Sequence, residues 1–128
     1  DETYKNDIIM QDSVRDAFMI SLKRLGYSCK KIARKRFLQP IGCHAGLPGF
    51  EQNGDWYEGK DLPDPMILFS EFSGGLLNRF LAACKEDGMP QIDYRAVVTE
   101  HNIHWNVLDL YQELVQEHES LHGGKVTL

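Results

Sequence analysis

His101 and His104 stand three residues apart in a polar turn, Thr99-Glu100-His101-Asn102-Ile103-His104-Trp105, that follows an apolar run and precedes an amphipathic stretch. Imidazoles at that spacing could share a metal ion, or one of them could act as an acid-base group, so they are the chain's two candidates for catalysis. The rest of a metal set is missing: structural zinc takes four ligands, and beyond Cys43-His44 no second pair stands at a usual spacing. Neither a metal nor a cofactor is expected. Ser70, Ser73 and Cys43 lack a nucleophile elbow, and Gly74-Gly75 is followed by no Lys-Ser or Lys-Thr, which a phosphate loop requires. The expectation is a small binding or regulatory domain. A small enzyme using a histidine acid-base near the Thr99–Trp105 turn is the alternative.

The binding expectation rests on where that turn leads. A helix beginning after it would present free backbone N–H groups, which favour an anion or a carbonyl oxygen. Thr99, Asn102 and Trp105 would line its mouth, with Gly42 and Gly46 of a glycine-rich loop allowing close backbone approach. A protein segment or a small anionic ligand suits such a place. The plainer account of the same residues is capping: Asn106 with Asp109 reads as a capping box, and Trp105 before it as a hydrophobic staple buried against the glycine-rich loop.

A second candidate is compositional. Lys23, Arg24, Lys30, Lys31, Arg34, Lys35 and Arg36 supply seven of the fourteen basic residues, with no acid anywhere from Lys23 to Arg36. Of these, Lys30, Lys31, Arg34, Lys35 and Arg36 form the candidate anion-binding set. Either the acidic 51–64 loop or the acidic last helix (Asp109, Glu113, Glu117, Glu119) neutralises them, or an anionic ligand or a second copy of the chain does, the last making a homodimer. The formal net charge of −5, and the lack of an aromatic platform among the basic residues, argue against nucleic acid. No stretch approaches the roughly 20 apolar residues that span a bilayer, so no membrane partner is expected. Three widely spaced cysteines, Cys29, Cys43 and Cys84, offer neither a disulfide framework nor a Cys-x-x-Cys pair, which fits a reducing cytoplasm.

The elements that must position these groups follow from periodicity. At 128 residues and 42% hydrophobic content the whole chain, 1–128, reads as one domain. Asp7 to Met10 is a short apolar strand; Asp12 or Ser13 then caps a helix whose Val14, Ala17, Phe18, Leu22 and Leu25 keep helical spacing up to Gly26. Tyr27 to Ile32 is a strand whose lysines suit a sheet edge. Residues 34–65 form a glycine- and proline-rich loop with a helical turn at 41–45 and an acidic, mobile second half. Met66 to Phe69 is apolar throughout, as in a strand covered on both faces. Ser73 caps a helix ending at Gly88, Tyr94 to Val98 is the last strand, and Val107, Leu108, Tyr111, Leu114 and Val115 line a final helix ending near Ser120. Residues 1–5 and the stretch from His122 onward read as tails.

The strand-helix-strand pattern at 7–33 recurs at 66–98, down to Leu22-Lys23-Arg24-Leu25-Gly26 against Cys84-Lys85-Glu86-Asp87-Gly88. The predicted class is therefore α+β: a ferredoxin-like two-layer sandwich of two βαβ units, first and third strands central, with a long central loop and an extra C-terminal helix. An open α/β sheet with helices on both faces is the alternative.

From Met66 onward, Ile67-Leu68-Phe69, the helix to Gly88, Ala96-Val97-Val98-Thr99, Asn102, Trp105, and the helix closing on Glu113-Leu114 and Glu117-His118 resemble a bacterial family known only as a domain of unknown function (number 3783). Upstream, Gln39-Pro40-Ile41-Gly42 and Ala45-Gly46-Leu47-Pro48-Gly49-Phe50 are similar to a glycine-punctuated segment ahead of that domain in longer members. The resemblance carries over Thr99, Asn102 and Trp105 as family features and does not carry over the histidines. It implies the domain and no activity.

Overall fold

The apolar runs become the two inner strands of a four-stranded sheet in the computed structural model, which describes residues 7–122. Strand β1 (Asp7–Gln11) and strand β3 (Met66–Ser70) lie antiparallel, with Ile8 opposite Phe69, Ile9 opposite Leu68 and Met10 opposite Ile67. Strand β2 (Cys29–Ile32) joins β1 in parallel, and β4 (Tyr94–Val97) joins β3 in parallel, giving the order β2-β1-β3-β4. The class is α+β, the first and third strands are central, and the lysine-bearing second strand is at an edge, as its charges require. Each βαβ unit keeps its own two strands adjacent, where a split βαβ would set a strand of the other unit between them. The two units meet instead through β1 and β3, and a pseudo-two-fold relation passes through the Ile9–Leu68 pair.

Strand geometry sends alternate side chains to opposite faces, so two inner strands without polar alternation need cover on both. On one face Ile8, Met10, Ile67 and Phe69 meet Phe18 and Leu22 of α1 (Asp12–Arg24) and Phe80 of α3 (Gly74–Glu86), with Phe72 and Ile92. On the other, Ile9, Ile32, Met66 and Leu68 meet Val107 and Leu110 of α4 (Val107–His122), with Phe37, Ile41 and Ala45 from the long loop. The helices of the βαβ units thus share one face, while the C-terminal helix and the loop cover the other. This third layer is the feature that the alternative architecture anticipated.

The helix ends repeat between the units. Gly26 and Gly88 adopt left-handed φ values of 89° and 80°, which lets Tyr27 N–H reach the Leu22 carbonyl at 2.9 Å and Met89 N–H reach the Cys84 carbonyl at 3.1 Å. Arg24 at the end of α1 donates two hydrogen bonds to Asp87 at the end of α3, at 3.0 and 2.8 Å, so the two helices also meet at their C-termini. Ser73 caps α3 as expected, accepting from Leu76 N–H at 3.2 Å.

At α1 the expectation needs correction. The N-cap is Gln11, and neither Asp12 nor Ser13 occupies that position. Gln11 gives its helix no side-chain bond because its amide is used elsewhere: Nε2 donates to the Asp64 carbonyl at 2.9 Å and Oε1 accepts from Met66 N–H at 2.8 Å. This side chain, only 2% exposed, continues the sheet ladder at the point where the loop enters β3. The loop's second half is also more ordered than its composition suggests. The buried Gln39 amide bonds Asn53 and the Asp55 carbonyl, Tyr57 N–H donates to the Lys35 carbonyl at 3.0 Å, and the Tyr57 ring stacks on Phe37. Residues 34–36 form a 3-10 turn that periodicity could not reveal, and α4 runs two residues past Ser120. Residues 1–6 and 123–128, which hold most of the expected tails, lie outside the described residues.

Replacing Gln11 by Leu keeps the volume and leaves the Met66 N–H buried without its acceptor, so a loss of about 2 kcal/mol is expected. Urea unfolding measures it, and an unchanged midpoint would show that the amide clamp adds nothing.

Candidate functional site

The Thr99–Trp105 turn is built by its own polar side chains. Asn102 is 7% exposed; its Oδ1 accepts from Thr99 N–H at 2.9 Å and its Nδ2 donates to the Val97 carbonyl at 3.0 Å. The Thr99 hydroxyl accepts from His101 N–H at 3.2 Å. Asn106 caps α4, accepting from Asp109 N–H at 2.9 Å. Thr99 and Asn102 therefore act as a turn lock, and Asn106 caps the helix, in line with the plainer account of these residues.

The structure does bring this turn to Gly42, through backbone. Ile41 N–H donates to the Trp105 carbonyl at 2.7 Å and Gly42 N–H to the Ile103 carbonyl at 2.8 Å, while Val107 N–H reaches back to Phe37. The large ring seated on Gly42 is Phe50, however, and Trp105 does not take that place. A Cβ added at Gly42 would lie 2.6 Å from the Phe50 ring, which is the physical reason for glycine there. Trp105 is half-buried beside the second core cluster, with His101 edge-on at 5.0 Å between ring centres. His104 rests on Phe50 at 5.1 Å. Both histidines are exposed and their rings face different aromatic neighbours. Gly46 meets another candidate: an added Cβ would lie 3.2 Å from Lys30 Nζ, which itself approaches the Ala45 carbonyl at 3.5 Å.

The basic run divides. Lys30 pairs with Asp7 at 3.1 Å and Lys31 with Asp12 at 3.7 Å, as Arg24 does with Asp87. The neutralising acids come from β1, α1 and the C-cap of α3; the expected acidic loop and last helix supply none of these pairs. Arg34 lines a cleft of about 340 Å³ with Asp12, Asp16 and Asp61, at the carboxyl ends of β1 and β2. Among the described residues no three carboxylate, histidine or cysteine groups are grouped to hold a metal ion. Lys35 and Arg36 turn to the ring of Trp56, each 5.6 Å from its centre, within cation–π range. An aromatic group does meet the basic residues, supplied by the loop some twenty positions later in the chain.

A roomier cleft lies elsewhere on the same loop. Tyr57, Lys60, Asp61, Leu62 and Pro63 face Leu108, Tyr111 and Gln112 of α4 across a cleft of about 530 Å³. Tyr111 braces it, donating its hydroxyl to Asp64 at 2.7 Å. Burial first, and then this bond to a carboxylate, raise the Tyr111 phenol above its ordinary range, so it stays a donor into alkaline pH. Tyr94 packs edge-on against Tyr111 and His118, which holds the helix to β4. These wall residues escaped the sequence reading because the loop's acids suggested solvent. The available signal was the adjacent aromatic pair Trp56-Tyr57 inside an otherwise charged stretch.

His44 is a further residue whose setting only the structure gives. Its Nε2 is buried with no hydrogen-bond partner among the described residues, and burial pushes its imidazole below the usual range. It stays neutral beside the backbone of Arg36 and Gln39.

Residues 65–121 match a family described as a domain of unknown function (DUF3783), a span that runs from β3 through α4 and includes the turn. No curated protein and no solved structure matches the chain. No helix among the described residues is long and apolar enough to cross a membrane.

Gly42→Ala should displace Phe50 and cost about 1–3 kcal/mol by overpacking. In a Phe50→Ala background the same substitution should be nearly neutral. Thermal or urea unfolding of the four proteins tests this, and equal costs in both backgrounds would show that Phe50 is not what excludes a side chain at position 42.

Proposed function

We propose that this chain is a non-catalytic binding domain, working in the cytoplasm, that takes a protein segment in the cleft between residues 57–63 and α4. The observation that carries the reading is the cleft itself: about 530 Å³, with Tyr57, Leu62, Pro63, Leu108 and Tyr111 as its apolar walls and Lys60, Asp61 and Gln112 as polar groups. Apolar walls with a few polar groups suit side chains of a peptide, whose backbone can bond to the polar groups. A free small anion fits less well there, since Lys60 is the one cation of the lining and Asp61 lies next to it. The loop wall is fixed before any partner arrives, through Tyr57 on Phe37 and the Gln11 and Tyr111 bonds to Asp64, which lowers the ordering cost of binding.

The enzymatic alternative has less behind it. His101 and His104 rest on Trp105 and Phe50, and the cleft lining includes neither of them.

Gln112 is exposed on α4 and can be enlarged without entering the core. Peptides selected from a random library on the wild-type domain should protect backbone amides at 57–63 and 108–112 from exchange, and Gln112→Trp, which fills the cleft, should weaken them about tenfold. Peptides indifferent to Gln112→Trp, with protection elsewhere, would remove the cleft from consideration.

A further inference from the structure

We infer that the segment this domain binds is acidic and crosses the Lys35–Trp56–Arg36 surface beside the cleft. This rests on the protein-segment reading above and adds the chemistry of the partner. Trp56 is 52% exposed, one of three large apolar residues left in solvent among the described ones, with Ile20 and Leu121. Unlike those two, it carries cations: Lys35 Nζ and the Arg36 guanidinium each lie 5.6 Å from its ring centre. Of the other basic side chains of the run, Arg24, Lys30 and Lys31 are each matched to an aspartate of this chain, and Arg34 lines the cleft that holds Asp12, Asp16 and Asp61. Among the described residues no carboxylate pairs with Lys35 or Arg36. Two cations without an acid of their own therefore converge on the exposed ring.

The surface is held in place from both sides. The Asp55 carbonyl accepts from the buried Gln39 amide at 2.9 Å, and Tyr57 N–H donates to the Lys35 carbonyl at 3.0 Å. Trp56 is thus fixed between two anchored neighbours, and the same backbone bond ties it to the residue bearing one of its cations. A preformed exposed tryptophan flanked by Lys and Arg has the composition of an interface centre, where an indole takes an aliphatic or backbone face and the cations take carboxylates. Because Tyr57 lines the cleft and Trp56 is next to it in sequence, one extended segment can touch both.

A polynucleotide fits this surface less well than an acidic segment. Phosphodiester chains need a continuous cationic track, whereas Glu51, Asp55 and Glu58 flank Trp56 in sequence and the chain carries a net charge of −5. Carboxylates of a short peptide can be placed on two cations and avoid the flanking acids.

The test uses fluorescein-labelled synthetic peptides alternating glutamate with leucine, the same peptides with glutamine for glutamate, and a single-stranded DNA oligomer, titrated at low and physiological salt. The glutamate peptide should bind about tenfold more tightly than its glutamine analogue and weaken as salt rises. The double variant Lys35→Glu/Arg36→Glu, and Trp56→Ala, should each lose about tenfold, with the charge reversal also flattening the salt dependence. Circular dichroism confirms folding, and Lys35→Glu alone, at an exposed position, repeats the test should the double variant unfold. Equal binding of the two peptides, or indifference to the charge reversal, overturns the acidic partner; if Gln112→Trp still weakens binding, the cleft reading survives that failure. Loss in the patch variants with no effect of Gln112→Trp supports the acidic partner and removes the cleft. Absence of binding by either peptide overturns both. Tighter binding of DNA that charge reversal abolishes overturns the inference in favour of nucleic acid, and a dimer in sedimentation that charge reversal dissociates overturns it in favour of a second copy.

Discussion

Pairing of β1 with β3 is the constraint on which the rest of this molecule depends. Ile8, Ile9 and Met10 face Phe69, Leu68 and Ile67 across one antiparallel ladder, and all six side chains are buried. Burying residues of this size stabilises by about 1.5–3 kcal/mol each, but only where both faces of the ladder are covered. The first face is covered automatically, because each βαβ crossover returns its helix to the same side. The second face has no such guarantee. It is closed by α4 and by the ordered part of a loop more than thirty residues long, and this explains why a glycine- and proline-rich stretch is ordered at all.

That closure brings the loop and the 99–105 turn into contact. Ile41 and Gly42 donate to carbonyls of Trp105 and Ile103, and Val107 returns a bond to Phe37, so the loop and the start of α4 share one backbone network. Residues that the turn and the glycine-rich loop offered for binding are the ones that build the joint, while the two histidines stay exposed. Asn102 is a buried lock, Asn106 a cap, and Gly42 a seat for Phe50. The matched family span, 65–121, contains the turn and α4 but neither β1 nor the loop that covers α4's buried side. Within this chain, therefore, the matched half obtains both its inner strand partner and its cover from the first 64 residues.

The surface left for partners follows from the same closure. Once the loop is pinned at Gln39, Tyr57 and Asp64, its next-door residues must point outward, and Trp56 does so between two cations while Tyr57 turns in to wall the cleft. The joint and the open surface are thus products of one folding event. Charge is partitioned in the same way. Basic residues near strand and helix ends meet Asp7, Asp12 and Asp87, whereas those on the 3-10 turn extend toward the loop.

Periodicity and turn chemistry by themselves determined the four strands and the long helices, the two repeated units, the capping by Ser73 and Asn106, the edge position of the lysine strand and the central place of Ile8–Met10 and Ile67–Phe69. These are local properties, set by side-chain spacing and by which residues tolerate a given φ, and a chain carries them before it folds. Only the tertiary structure decided which strands of each unit lie adjacent, that Gln11 serves the sheet and not its own helix, that Phe50 and not Trp105 occupies the space over Gly42, and which cations keep an acid. Each of these is a choice between partners distant in sequence, and spacing carries no information about it. The amide of Gln11 has two possible employments a few ångströms apart, and the position of Asp64 and Met66, more than fifty residues away, selects one. Trp56 illustrates the same limit from the other side, since its residue type was visible in the sequence while its meaning came from Lys35 and Arg36, which the fold places beside it.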